Sequence, residues 1–194
     1  LLEKFFSGEP FTAEEMTTGL RAAVADGSIN PVFVGSGTMN WGIGFAMDHI
    51  CRYMPAPTDV ATAKATSPDG AALDVDLDPD APLAAFVFKT IADPFVGRIS
   101  MFRVYSGTFK ANSSVYNPIK EKDERIGALF TMVGKKQLPT DQVAAGDIGA
   151  VTKLLLTTTN DTLCDRSQPV ILKQIKFPFP CLSLAILPVV KGEE

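Results

Sequence analysis

Apolar residues change their spacing along this 194-residue chain, from helical intervals near the start to strict alternation further on. Thr12-Ala13-Glu14-Glu15 has the form of a capping box, in which a threonine oxygen meets the N3 amide and the N3 glutamate reaches back. The helix it opens is predicted to run to about Ala25 and to stop at Asp26-Gly27, where glycine accepts the left-handed cap conformation. Pro31-Val32-Phe33-Val34 is a short apolar run bounded by turn residues and predicts a buried strand. It leads through the small-residue loop Gly35-Ser36-Gly37-Thr38-Met39-Asn40 into a second helix, Ile43 to Met54. Ile43, Met47, Ile50 and Met54 share one face of that helix. Helix, strand, loop and helix form an α/β pattern, but one strand is too little sheet to fold alone.

Between Pro55 and Pro82 the sequence is rich in Pro, Asp and Ala, with Ser67-Pro68-Asp69-Gly70 and Asp78-Pro79-Asp80 as turn signals. This stretch reads as a linker holding one or two short strands or a hairpin. Alternation then predicts strands at Leu83 to Ala92, Gly97 to Ser106, Ser113 to Ile119, Arg125 to Val133, Ile148 to Leu155 and Val170 to Phe177. Turn residues such as Ser106-Gly107, Gly134-Lys135 and Asn160-Asp161 separate them. Strands at this spacing suggest a closed antiparallel barrel, because closure removes exposed edges. A last strand, Cys181 to Leu187, follows Phe177-Pro178-Phe179-Pro180, whose prolines interrupt pairing and assign it to another unit. The expected units are therefore 1–57, 58–176 with a lead-in over 58–82, and 177–194.

Composition narrows the function classes. Hydrophobic residues at 46% and charged residues at 21% fit a globular chain rather than a disordered one. No apolar run approaches the ~20 residues of a membrane helix, and the first residues lack the regions of a signal peptide. They also lack an initiator Met, so an internal piece of a longer protein is expected. Cys51, Cys164 and Cys181 are far apart, which fits reduced cytoplasmic thiols, and a single histidine, His49, argues against a histidine-based zinc site. The net charge of −4 hides an asymmetry. Residues 1–85 carry four basic against twelve acidic side chains, whereas residues 86–176 carry thirteen basic against eight acidic. Two units facing different partners are implied.

No Gly-x-x-x-x-Gly-Lys-Ser/Thr, Asp-x-x-Gly or Asn-Lys-x-Asp occurs. The specific signal lies elsewhere. Pro31-Val32-Phe33-Val34-Gly35-Ser36 and Met54-Pro55-Ala56-Pro57 resemble the end of the G domain of the elongation factor G family. Ala92-Asp93-Pro94-Phe95-Val96-Gly97-Arg98, Arg103-Val104-Tyr105-Ser106-Gly107-Thr108, Ala145-Gly146-Asp147-Ile148-Gly149-Ala150-Val151 and Asn160-Asp161-Thr162-Leu163 resemble its second domain. Phe177-Pro178-Phe179-Pro180 is similar to the junction that follows.

The resemblance spans nearly the whole chain in order and spacing. It implies a mainly β fold, a six-stranded antiparallel Greek-key β-barrel preceded by a partial α/β segment and followed by the first strand of a third domain. It also implies a ribosomal translocase, a cytoplasmic GTPase that uses GTP and Mg²⁺ when complete and whose barrel meets small-subunit RNA. Its partners would be the ribosome and the other domains of the same protein, with no membrane or DNA contact. Because the P-loop, switch and Asn-Lys-x-Asp elements are not in this sequence, it is expected to be catalytically inert by itself, with no catalytic residue, cofactor or metal.

Ser36 falls at the family's guanine-supporting loop, and Gly37 would let that loop present a backbone N–H to the base; Gly in place of the usual Ala loosens it. The RNA-facing candidates are Arg98, Arg103, Lys110, Lys120, Lys122, Arg125, Lys135 and Lys136, with Lys89 beside them. Against this, Lys120-Glu121-Lys122-Asp123-Glu124-Arg125 is mixed in sign, as in a solvated hairpin. Asp93 to Arg98 reads as a turn with a docking role implied by the family. His49 reads as a surface or half-buried residue rather than a base, Trp41 as a packing anchor, and the phenylalanines as core. Ribosome-protecting tetracycline-resistance factors and peptide-release GTPases share the barrel and stay open as alternatives. A flavin-binding or ligand-binding barrel of a small enzyme is the alternative from another class.

Overall fold

Three helices come first in the computed structural model, which describes residues 2–59, 62–93 and 96–185. Helix α1 (Leu2–Ser7) has no counterpart in the sequence expectations, and α2 (Ala13–Ala25) has the predicted bounds. The Thr12 hydroxyl accepts from the Glu15 amide at 3.2 Å, and the Glu15 carboxylate accepts from the Thr12 amide at 2.8 Å. That carboxylate also takes a hydrogen bond from Lys4 Nζ at 2.7 Å, which joins α1 to α2 and lowers the Glu15 pKa to about 2. Helix α3 (Ile43–Tyr53) ends one residue before the predicted Met54. None of the three helices contains a buried residue.

The strand expected at Pro31–Val34 is absent. Val32 and Val34 are 86% and 93% exposed, and the only pairing nearby is an isolated bridge between Ser36 and Trp41. An apolar run becomes a strand only when a neighbour takes up its backbone groups, and no described strand pairs with this one, which lies against helix α3 instead.

The lead-in forms the hairpin that its turn signals predict, with β1 (Thr62–Thr66) antiparallel to β2 (Ala72–Asp76). Ten strands follow: β3 (Ala84–Asp93), β4 (Gly97–Ser106), β5 (Thr108–Lys110), β6 (Ser114–Asn117), β7 (Lys122–Arg125), β8 (Leu129–Val133), β9 (Lys136–Thr140), β10 (Gln142–Ala144), β11 (Ile148–Thr152) and β12 (Thr162–Cys164). A last pair of residues, β13 (Ile171–Leu172), adds to β1 in a small sheet of order β13-β1-β2.

The ten strands form a barrel-like fold. Eight pair in the order β7-β6-β12-β3-β4-β11-β8-β9, and β10 pairs with β5. Only Asp141 separates β9 from β10, and a short turn separates β5 from β6, so successive pairings run in a ring. The expected strands over Ser113–Ile119, Ile148–Leu155 and Arg125–Val133 are shorter here, the last reduced to β8, with Arg125 ending β7. The strand expected over Val170–Phe177 shrinks to β13 and joins the small sheet instead of the barrel. Strands β5, β9, β10 and β12 were not foreseen. The three-residue strands β5, β10 and β12 carry too little alternation to stand out from turns. Residues 173–185 hold no strand, Leu187 lies outside the described residues, and so do Pro94 and Phe95 of the loop between β3 and β4.

Inside the barrel, Ala85, Val87, Phe102, Val104, Phe109, Ile126, Leu129, Val151 and Leu163 are each 0% exposed. The Phe102 and Phe109 rings meet edge to face with centroids 4.5 Å apart, a favoured geometry for the aromatic quadrupoles. Gly149 is required there: a Cβ at that position would stand 2.6 Å from Phe102 Cζ and 2.8 Å from Val143 Cγ2. A second cluster, Ala65, Ala84, Phe86 and Leu172, seals the small sheet onto the outer face of β3 and β4. Strand β3 is therefore apolar on both sides at Ala84–Val87, the pattern of a strand covered on two faces.

Candidate functional site

The loop at Ser36 is closed by its own backbone. Ser36 and Trp41 exchange amide hydrogen bonds of 3.0 and 3.1 Å, while the Ser36 hydroxyl accepts from the Met39 amide at 3.2 Å and lies 3.2 Å from Thr38 Oγ1. The amides of Gly37 and Thr38 have no partner among the described residues, so they are free to donate outward. Gly37 itself is not sterically required, since a Cβ there would meet nothing within 4 Å. The glycines that the loop needs are Gly35 and Gly42. Their Cβ atoms would sit 2.7 Å from the Trp41 carbonyl oxygen and 2.8 Å from that of Val34. Trp41 thus anchors the loop through its main chain, with its side chain 67% exposed. His49 is half-buried: its Nδ1 donates to the Phe45 carbonyl at 2.7 Å and its ring stacks on Phe45 with centroids 3.9 Å apart. Those contacts fit packing rather than proton transfer.

The basic candidates occupy several places. Lys120, Lys122 and Arg125 are exposed on and around the β6–β7 hairpin, and Lys135 and Lys136 are exposed at the β8–β9 turn. Lys110 is exposed at the end of β5, and Lys89 is exposed on β3. Arg98 is committed elsewhere, because its guanidinium donates to the Leu154 carbonyl at 2.9 Å. Arg103 is half-buried on the outer face of β4, with its guanidinium 5.1 Å above the Tyr105 ring. The hairpin of mixed charge holds one side chain that its composition conceals. Glu124 is only 3% exposed, whereas Lys122, Asp123 and Arg125 point outward.

Glu124 clamps the loop after β11. Its carboxylate accepts from the amides of Leu155 at 2.8 Å, Leu156 at 3.0 Å and Thr157 at 2.9 Å, and from the Thr157 hydroxyl at 2.9 Å. Burial alone would raise its pKa, but these four donors outweigh desolvation and hold the group below the usual carboxylate range. Asn117, also buried, donates to Thr157 Oγ1 at 3.2 Å and to Asp161 Oδ2 at 3.1 Å, so the network continues to the start of β12. Sequence reasoning missed this network. The one available signal was that Glu124 shares the inward parity of its neighbour Ile126. Among the described residues no group of His, Cys, Asp and Glu is placed to hold a metal ion.

Residues 82–166, from the last residues of the lead-in to just beyond β12, match the family described as elongation factor G domain 2. Over those residues the chain is similar to an elongation factor G second domain. A solved protein from Thermus thermophilus superposes on 93% of the chain with 26% sequence identity and a TM-score of 0.69. This chain spans 25% of the length of that protein. The similarity to elongation factor G domain 2 covers the barrel and takes in the segments from Arg103 to Thr108, Ala145 to Val151 and Asn160 to Leu163. No helix among the described residues is long and apolar enough to cross a membrane.

Proposed function

We propose that this chain is the ribosome-docking portion of a cytoplasmic translational GTPase of the translocase type, and that its barrel meets small-subunit RNA. The observation that carries the reading is the exposure of Lys120, Lys122 and Arg125 at one hairpin and of Lys135 and Lys136 at another, on an elongation factor G-type barrel. Exposed lysines and arginines neutralise phosphates and release counterions, which gives affinity without sequence preference. Arg98 is a weaker member of this set because its guanidinium already donates to the Leu154 carbonyl, and Arg103 because it is half-buried on the outer face of β4. In the complete protein the free amides of Gly37 and Thr38 would support guanine recognition, with GTP and Mg²⁺ held by elements outside this sequence. The chain by itself would not hydrolyse GTP.

Sedimentation of the chain with small ribosomal subunits tests this reading. Association is expected at ~50 mM salt and is expected to fall steeply by ~200 mM. Replacing Lys135 and Lys136 together with alanine should lower the salt slope by roughly one per lost phosphate contact. No association at low salt would sink the docking role, and tight Mg²⁺-dependent binding of labelled GTP would sink the inertness.

A further inference from the structure

A cavity of about 380 Å³ lies in the seam between the small sheet and the outer face of the barrel. Its apolar lining comes from Ala63 and Val75 of the hairpin, Phe86 and Tyr105 of the barrel, and Leu172 of β13. Strand alternation sets this lining. Ala63 and Val75 are register partners facing the barrel, while Lys64, at the cavity's edge, pairs with Asp74 across the hairpin at 2.8 Å. Arg103 stands directly across from Phe86 in the β3–β4 register, and Tyr105, two residues on, shares its face.

The charge in this seam is one-sided. Lys64, Arg103 and Lys173 line the cavity and no carboxylate does; of the three, Lys64 is already paired with Asp74. Among the described residues no carboxylate or carbonyl accepts a hydrogen bond from the Arg103 side chain, whose guanidinium lies over the Tyr105 ring. A guanidinium carries five N–H donors in a planar fork that matches a carboxylate. Here that fork is held half-buried beside an aromatic ring and above an apolar floor, where a charge-assisted pair is strengthened by partial exclusion of water. The volume lies within the range of small-ligand pockets.

We infer that this seam binds a small amphipathic carboxylate, with the acid group on Arg103 and its apolar body against Phe86, Tyr105 and Leu172. Lys173, exposed at the rim, adds long-range attraction for the anion. RNA fits the place poorly: a phosphate backbone is strongly hydrated and would gain nothing from the apolar floor.

Octanoate is the probe, titrated into the full chain and followed by the amide NMR shifts of Ala63, Tyr105 and Leu172. Saturable shifts confined to the seam are expected, with 1-octanol and inorganic phosphate each binding at least tenfold more weakly. Arg103→Met should weaken octanoate about tenfold, in line with loss of one charge-assisted pair. Lys173→Gln, at an exposed position where folding is not at stake, should weaken it by about twofold to threefold. Ala63→Phe, which fills the cavity, should abolish binding. The inference is overturned if octanoate leaves these amides unmoved, if inorganic phosphate binds as tightly as octanoate, or if a short RNA shifts the same amides while octanoate does not. It is equally overturned if Arg103→Met and Lys173→Gln both bind octanoate as the unaltered chain does.

Discussion

The helical segment and the barrel use the same kinds of apolar residue to opposite effect. In residues 2–59 the helices bury nothing: Phe45, Met47 and Ile50 are 60%, 61% and 51% exposed. In the barrel, Phe102, Phe109 and Ile126 are 0% exposed. The first region owes its shape to local devices, chiefly the Thr12–Glu15 capping box, the Lys4–Glu15 pair and the backbone-closed loop at Ser36. The second owes its shape to strands drawn from distant parts of the chain, and the residues between them, such as Gly149, are fixed by close packing. Hydrophobic sequence states which faces need covering; only topology decides whether the cover is supplied.

That contrast can be broken most forcefully in the barrel. Phe102→Ala should destabilise the domain by about 3–5 kcal/mol, the usual range for truncating a buried aromatic, read as a lower urea midpoint with an unchanged slope. The same truncation at Phe45 should leave that midpoint where it is. If the two substitutions move it equally, the helical segment shares the barrel's core and the distinction fails.

The next effect sharpens what holds the barrel's loops. Glu124→Gln exchanges an ionised acceptor of four hydrogen bonds for an amide, and a loss of about 1.5–3 kcal/mol is expected from hydrogen bonds to a charged group. The pH dependence has a definite sign. Because the folded pKa is lowered, the Glu124 contribution is complete above the ordinary carboxylate value of 4.5 and disappears as the pH falls through the lower folded value. Denaturation curves of the unaltered chain and the Gln variant should therefore converge in acid. Curves that stay parallel from pH 7 down to pH 2 would show that the carboxylate is not the clamp.

Smaller effects belong to the helical segment. Thr12→Ala should remove about 1 kcal/mol of local stability, seen as faster amide exchange in the first turn of α2 with the barrel transition unmoved. The Lys4–Glu15 contact should persist in acid until the pH approaches about 2, where Glu15 takes up its proton. Chemical-shift titration of the Glu15 side chain measures this directly, and a midpoint near 4.5 would contradict the pairing. Ile50→Ala, at a half-open position of α3, should change stability by less than about 0.5 kcal/mol.

Much of this was legible in the sequence wherever the signal was local. The capping box, the stop at Gly27 and the β1–β2 hairpin follow from a few adjacent residues. The long strands β3 and β4 announce themselves by alternation over ten residues each. The strand expected at Pro31–Val34 fails because no described strand pairs with it, and periodicity carries no information about partners. Strand β12 escaped for the opposite reason: its three residues are all buried, so no alternation marks them. Glu124 was hidden by its company, since a carboxylate between Asp123 and Arg125 reads as solvated surface until the fold turns it inward. The candidate cations were legible as a set, but not which of them were spoken for. Arg98 reaches a carbonyl 56 positions along the chain, and Arg103 sits under a sheet whose last strand is 68 residues away.

The clamp on residues 155–157 has one more consequence. Leu155 is 83% exposed, yet its amide, and those of the next two residues, are already bound to a single buried carboxylate. Most surface loops must surrender backbone freedom when something settles on them. Here that freedom is gone before any encounter, so the tip behaves as a fixed peg rather than a flexible arm.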